Sequence, residues 1–231
     1  KFSGLKKGDK VLDVACGTGV VAITAARLGA TVCGSDITPE LIKRAKENAE
    51  ISKYNIDFTV ADVEELPYDD NSFDFVLSQF GHMFAPRPEV AISEMLRVLK
   101  PKGIISFSTW PPELLTGRLF LLTSKYGPPM PKDISPPVAW GEVEIIKERL
   151  GDNVTNITFH RAEYGNPALS PSHMRLLIET YIGPVTATVK QLEADPKTLS
   201  QFRKEMDELL DEYFQNNTVI QSYLMTRAVK K

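Results

Sequence analysis

The stretch VLDVACGTGVV, residues 11–21, constrains this chain more than any other. An apolar run ends in Ala-Cys-Gly-Thr-Gly and continues into Val-Val-Ala-Ile, which predicts a buried strand, a tight turn and the first turn of a helix. Glycines at such a turn let backbone N–H groups come close to a ligand, while the positive end of the helix faces an anionic group. A nucleotide-like ligand is therefore expected.

The alternation then repeats. Further strands are predicted over 31–35, 56–60, 73–78 and 104–109, with helices over 19–28, from Thr38-Pro39-Glu40 to about residue 51, and over 89–99. Gly29 occupies the position favoured for a helix stop, Thr38-Pro39 reads as an N-cap followed by proline, and Lys100-Pro101-Lys102-Gly103 ends the third helix. Alternating segments over 154–163 and 219–229 bring the strands to seven. The fold class expected is α/β, a Rossmann-like, doubly wound seven-stranded sheet.

From Trp110 onward the composition changes. PPELLTG and YGPPMPKDISPPVAWG carry too many prolines for helix or central strand, and they flank the apolar RLFLLTSKY; this predicts a proline-rich lid. A helix resumes over 142–150, and Ser170-Pro171 and Asp195-Pro196 each start a further one near Ser172 and Lys197. Leu199, Phe202, Met206, Leu209, Leu210, Tyr213 and Phe214 recur at helical spacing and are expected to pack a core. The whole chain, 1–231, is taken as one domain with lid or substrate insertions at about 111–141 and 166–216.

Composition removes several function classes. With 231 residues, 42% apolar and 25% charged, the chain is ordinary globular protein, and a net charge of -3 supplies no positive field for a phosphate backbone, so no nucleic-acid partner is expected. Cys16 and Cys33 fall in apolar strand-like segments and read as packed, reduced thiols. No apolar run approaches a membrane span and no charged-then-apolar leader is seen, so a cytoplasmic location without membrane insertion is expected. The acids of EELPYDDNSFD surround a proline turn like a solvated loop, and no metal site is expected.

Two ligand classes fit the glycine turn. Gly17-Thr18-Gly19-Val20-Val21-Ala22 matches the G-x-G-x-x-A dinucleotide fingerprint, with Asp36 placed to bond a ribose. Three features favour S-adenosylmethionine (SAM) instead. Asp13 lies inside the first strand, where a carboxylate is costly unless it meets donors or a cation, and SAM offers an ammonium and a sulfonium. Asp62, just past the third strand, is positioned to accept from an adenine amino group. LRVLKPKGIISFS supplies a helix, a Pro/Gly turn and a strand.

Together these residues resemble the class I SAM-dependent methyltransferases, in particular the small-molecule branch that includes the ubiquinone and menaquinone biosynthesis methyltransferases. The resemblance covers roughly residues 8–109 and beyond Trp110 is only architectural. It implies that Asp13, Ala15, Gly17 and Gly19 form the acidic glycine-rich motif, Asp36 the ribose-binding acid and Asp62 the adenine-side acid. Ala15 stands where many members carry the first glycine, and so small a side chain still admits the methionine moiety. Ile37 and Val63 are expected against the adenine, and Ser78 completes the expected cofactor contacts. The implied cofactor is SAM, with S-adenosylhomocysteine (SAH) as product.

Methyl transfer from a sulfonium is an in-line displacement, so the protein chiefly aligns an acceptor and excludes water. The acceptor is expected outside the carboxyl ends of the fourth and fifth strands, in SQFGHMFAPRP and the lid. No Asn/Asp-Pro-Pro-Tyr run and no cysteine stands after the fourth strand, which argues against nucleobase methylation. Phe80, Met83, Phe84, Trp110, Leu114, Leu115, Phe120 and Trp140 offer an apolar, aromatic surface, so a small hydrophobic or amphipathic acceptor is expected. His82 is the candidate general base, ahead of His160 and His173. The alternatives are a non-catalytic SAM-binding regulatory protein, an NAD-type oxidoreductase, and RNA or protein methylation.

Overall fold

The computed structural model describes residues 2–127 and 134–231. Pro128, Pro129 and Pro131 of the proline-rich lid stretch lie outside the described residues. The chain runs β1 (Lys10–Val14), α1 (Val20–Arg27), β2 (Thr31–Asp36), α2 (Pro39–Ile51), β3 (Asp57–Val60), β4 (Phe73–Gln79), α3 (Pro88–Val98) and β5 (Leu99–Thr109). It continues with α4 (Leu115–Tyr126), α5 (Val143–Leu150), β6 (Val154–Pro167), α6 (Pro171–Tyr181), α7 (Gly183–Leu192), α8 (Pro196–Asp211), β7 (Phe214–Gln215) and β8 (Thr218–Lys230). The sheet order is β3-β2-β1-β4-β5-β8-β6, with β7 paired to β8. It holds the expected seven strands, and the two-residue β7 is the eighth. The pairs β1/β2, β2/β3, β1/β4 and β4/β5 are parallel, an arrangement that crossover connections such as α1, α2 and α3 allow.

Local chemistry accounts for most boundaries. Helix α1 ends at Gly29, whose φ of 90° allows Gly29 N–H to bond Ala26 O and Ala30 N–H to bond Ala25 O, closing the last turn. Ser170 and Asp195 cap α6 and α8 by accepting from His173 N–H at 3.1 Å and Thr198 N–H at 3.2 Å. At α2 the expected Thr38 cap makes no side-chain bond; Asp36 Oδ1 takes the Thr38 N–H at 3.0 Å instead. The Lys-Pro-Lys-Gly stretch, expected to separate helix from strand, lies inside β5. Its extra residues are absorbed by an irregularity in which Phe73 pairs with Leu99 but Phe75 pairs with Ile104, a place where a proline without N–H is tolerated. Helix α7 is not among the expected elements, although Pro184 stands in its first turn and Val185, Val189 and Leu192 recur at helical spacing.

The chain divides into two compact units. The first comprises Lys1–Thr109, Val143–His160 and Met225–Lys231, the second Trp110–Glu142 and Arg161–Leu224. One core of the first unit buries Val11, Ile23, Ala25, Ile42, Ala45, Phe58, Phe75 and Leu77 between strands β1 to β4 and helices α1 and α2. In the second unit the stripe on α8 buries Phe202, Met206, Leu209 and Leu210 against Leu115, Met174, Ile178 and Val185, with Leu199, Tyr213 and Phe214 partly buried around it. Buried Glu179 on α6 joins Arg203 at 2.8 Å and Arg175 at 2.8 Å, and Arg175 reaches Asp207 at 2.8 Å, so ion pairs tie α6 to α8.

Candidate functional site

Strand β1 bonds β2 on one side and β4 on the other, so the order of the sheet reverses beside it. Open α/β sheets bind ligands at this switch point, outside the carboxyl ends of the strands. Here the chain leaves β1 through Ala15 (φ 50°), Gly17 (φ 55°) and Gly19 (φ 84°). Gly19 N–H bonds Cys16 O at 2.9 Å and Cys16 N–H bonds Ser35 O at 2.9 Å, which tightens the turn and ties it to β2. From α2, Asn48 Nδ2 donates to Thr18 O at 3.0 Å. A Cβ on Gly19 would lie 3.0 Å from the Phe58 ring, so glycine is required for close packing as well as for its φ.

Asp13 is 1% exposed. Gly19, the N-cap of α1, has no side chain to receive the helix's first N–H groups, and Asp13 Oδ2 takes that part by accepting from Ala22 N–H at 2.9 Å. Its other oxygen, Oδ1, has no hydrogen-bond partner among the described residues. Burial, opposed by the Ala22 N–H and reinforced by the charge of Asp36, pushes the Asp13 carboxyl up to about 8. A buried acid with one open oxygen beside a glycine turn suits a cationic ligand group. Asp36, 7% exposed, accepts from Gly17 N–H at 2.8 Å through Oδ2 and from Thr38 N–H at 3.0 Å through Oδ1. Its first task is to hold the turn and the start of α2; a carboxylate retains lone pairs for further donors after two such bonds.

Asp62 lies past β3 and accepts from Glu64 N–H at 2.9 Å. Ile37, adjoining Asp36, is 64% exposed, an apolar side chain left open beside the glycine turn's acid, and Val63 is half-buried. The loop carrying Asp62 and Val63 is anchored at two points that sequence reasoning missed. Glu64 receives Arg87 N–H at 2.6 Å and Arg87 Nε at 2.7 Å. Arg97 on α3 bonds Glu94, Asp70 and the carbonyls of Leu66 and Tyr68. These acids are engaged by arginines, and no group of three or more potential metal ligands lies together among the described residues.

Ser78 lies near the end of β4 and His82 just beyond it. The Ser78 hydroxyl donates to Val14 O at 2.9 Å and receives His82 N–H at 3.4 Å, so it joins β4 to β1 beneath the turn. His82 is fully buried, with its ring 4.7 Å from that of Phe107, and burial aided by the Arg149 charge pushes it down to about 3. A neutral core imidazole with so low an affinity for protons is poorly suited to be a base at neutral pH. Gly81, also missed, abuts the turn: a Cβ there would lie 2.5 Å from Ala15 Cβ and 2.6 Å from Ala15 O. Among the expected acceptor-facing residues, Phe84 is 52% exposed, Phe80, Leu114 and Phe120 are half-buried, and Met83, Trp110, Leu115 and Trp140 are buried. Phe80 is held at φ 66°, an uncommon state for a bulky residue and a mark of backbone strain.

Comparison with known proteins agrees with this geometry. Residues 12–107 match the family described as methyltransferase domain. An uncharacterised protein of Mycobacterium tuberculosis is 34% identical over 229 residues, covering 99% of this chain and 84% of that protein. The demethylmenaquinone methyltransferase of Staphylococcus aureus is 42% identical over 109 residues, 46% of this chain and 44% of that protein. The crystal structure of a SAM-dependent methyltransferase from Aquifex aeolicus superposes with a TM-score of 0.52 at 25% identity, covering 68% of this chain and 79% of that one. The sheet order and the turn are those of the class I methyltransferase fold. Residues 12–107 carry a methyltransferase domain.

Proposed function

We propose that the protein transfers a methyl group from SAM to a small hydrophobic or amphipathic acceptor, with the cofactor held at the β1–α1 turn. The observation that carries this reading is the buried Asp13, whose Oδ1 has no hydrogen-bond partner among the described residues, on the strand that leads into the glycine turn. Asp13 receives the ammonium of the methionine moiety, while Ala15, Gly17 and Gly19 keep the backbone low enough for that moiety to lie against it. Asp36 receives the ribose hydroxyls, Asp62 the adenine amino group, and Ile37 and Val63 flank the adenine. Ser78, which joins β4 to β1 beneath the turn, completes the cofactor contacts, and Gly81 supports the floor of the site. An NAD-type site is disfavoured, because a dinucleotide brings no ammonium to meet the buried Asp13 and Asp62 has no part in a dinucleotide fingerprint.

When bound, SAM supplies a methyl group already activated by its sulfonium. The chain's own share is alignment and exclusion of water. An exposed Phe84 and a strained Phe80 at the end of β4 support an apolar acceptor, and the name of the Staphylococcus aureus relative suggests quinols as the first class to try. With His82 buried, proton removal falls to the acceptor itself or to solvent. Free, packed Cys16 and Cys33 fit a reducing, cytoplasmic setting, and no described helix is long and apolar enough to cross a membrane. Calorimetric titration with SAM, SAH and NADH tests the cofactor assignment. Saturable binding of SAM and SAH, lost in Asp36→Ala, is expected; preference for NADH would overturn it. A screen of phenols, quinols and amines for SAH formation then identifies the acceptor.

A further inference from the structure

We propose that cofactor binding is proton-linked through Asp13, whose carboxyl keeps its proton in the empty site and releases it to solvent when the ammonium of the methionine moiety arrives at Oδ1. The inference rests on the SAM reading above and adds a thermodynamic consequence to it.

The geometry leaves the acid little choice. Asp13 is 1% exposed, and its single bond, from Ala22 N–H, satisfies Oδ2 alone. Opposite it in the sheet stand Gly34 on β2 and Leu77 on β4, neither of which carries charge. From α1 it meets a backbone N–H. The titratable groups that face it among the described residues are Asp36, at the end of β2, and the Cys16 thiol in the turn. Burial also pushes that thiol up, so Cys16 is neutral and brings no positive charge. A lone carboxylate here would be buried, half-bonded and next to a like charge, a combination that favours the neutral acid. The rise to about 8 is the same statement in terms of protons.

Arrival of the ligand changes the balance. The carboxyl O–H bond breaks, the proton passes to buffer, and an ammonium N–H donates to Oδ1. The empty site holds a neutral acid, the bound pair of carboxylate and ammonium is neutral, and the released proton carries the ligand's positive charge to solvent, so the buried site never holds an uncompensated anion at this position. Backbone N–H groups alone would bind the ligand's carboxylate without this exchange.

Proton counting on the native protein tests the proposal. Titrations with SAH in buffers of different ionisation enthalpy give the protons exchanged per ligand bound. At pH 7 an acid near 8 is about nine-tenths protonated, and the amine of SAH, which stands beside a carboxylate as in a free amino acid, is already an ammonium, so net release of about 0.9 proton is expected. At pH 9 the acid is already mostly ionised, so the release should disappear. Methylthioadenosine, which lacks the amino-acid end, should bind with no release, and Asp13→Asn should bind SAH with none at pH 7. SAH binding at pH 7 without proton release overturns the linkage while leaving the SAM reading intact, and release of the same proton by methylthioadenosine overturns the ammonium as its cause. Absence of SAH binding to the native protein overturns the SAM reading and the linkage with it.

Discussion

Gly81→Ala should damage the cofactor site from outside it. The new Cβ would lie 2.5 Å from Ala15 Cβ and 2.6 Å from Ala15 O, whereas ordinary contact begins at 3.4 Å. The β4 loop and the glycine turn must therefore separate by about 1 Å, and misplacements of that size cost on the order of 100-fold where alignment matters. Overpacking of this kind also destabilises by about 1–3 kcal/mol, or about 2–4 °C in Tm for each kcal/mol in a chain of this length. Thermal unfolding and SAM titration read the two effects separately. Ala15→Gly alone should raise stability by about 1 kcal/mol, because it removes a Cβ held at φ 50°. In the double variant Ala15→Gly with Gly81→Ala the Cβ contact disappears but the carbonyl contact remains, so only partial recovery is expected. Unchanged Tm and unchanged SAM affinity in Gly81→Ala would refute the claim that the β4 loop sets the position of the turn.

Three further outcomes follow from named contacts. Asp36→Ala removes the acceptor of Gly17 N–H and Thr38 N–H; it should cost about 1–3 kcal/mol in stability from two unmet donors and abolish measurable SAM binding by calorimetry. His82, pushed down to about 3, binds no proton in the folded state while the unfolded chain takes one up below about 6.5, so stability should fall by about 1.4 kcal/mol per pH unit below that point. Denaturant melts between pH 5 and 7 should show this slope, and its persistence unchanged in His82→Leu would remove the histidine as its source. Glu179 is held below the usual carboxylate range by Arg203 and Arg175 despite its burial, so its contribution is present above about pH 4.3 and is lost as pH falls through its lowered value. Glu179→Gln should therefore destabilise the native protein at pH 7 by about 1–3 kcal/mol and flatten the acid limb, as followed by circular dichroism.

The strand-turn-helix alternation was legible because each element carries its own signal: apolar runs for β1, β2 and β4, Gly29 at the end of α1, and Ser170-Pro171 and Asp195-Pro196 at the starts of α6 and α8. The irregular start of β5 was not, because a proline and a glycine read locally as an interruption, while pairing of Leu99 with Phe73 is a long-range fact. The same divide runs through the site. Asp13 stood out as a charge inside an apolar strand, a conflict visible in the residues themselves. The roles of Gly81, Asn48 and Arg87 depend on partners 66, 30 and 23 positions away in the chain, and no local pattern points to them. Gly34 gave a faint signal, a glycine within a strand, which here leaves room for Phe58 and Cys16. The burial of His82 is not legible, because a histidine near the end of β4 looks the same in sequence whether it faces the mouth or the core.

A crystal structure of the SAH complex tests the central claim most directly. The account predicts the amino nitrogen of the ligand within about 3 Å of Asp13 Oδ1, the ribose hydroxyls on Asp36, and the adenine between Ile37 and Val63. SAH bound with its amino group away from Asp13, or bound anywhere other than the β1–α1 turn, would contradict it.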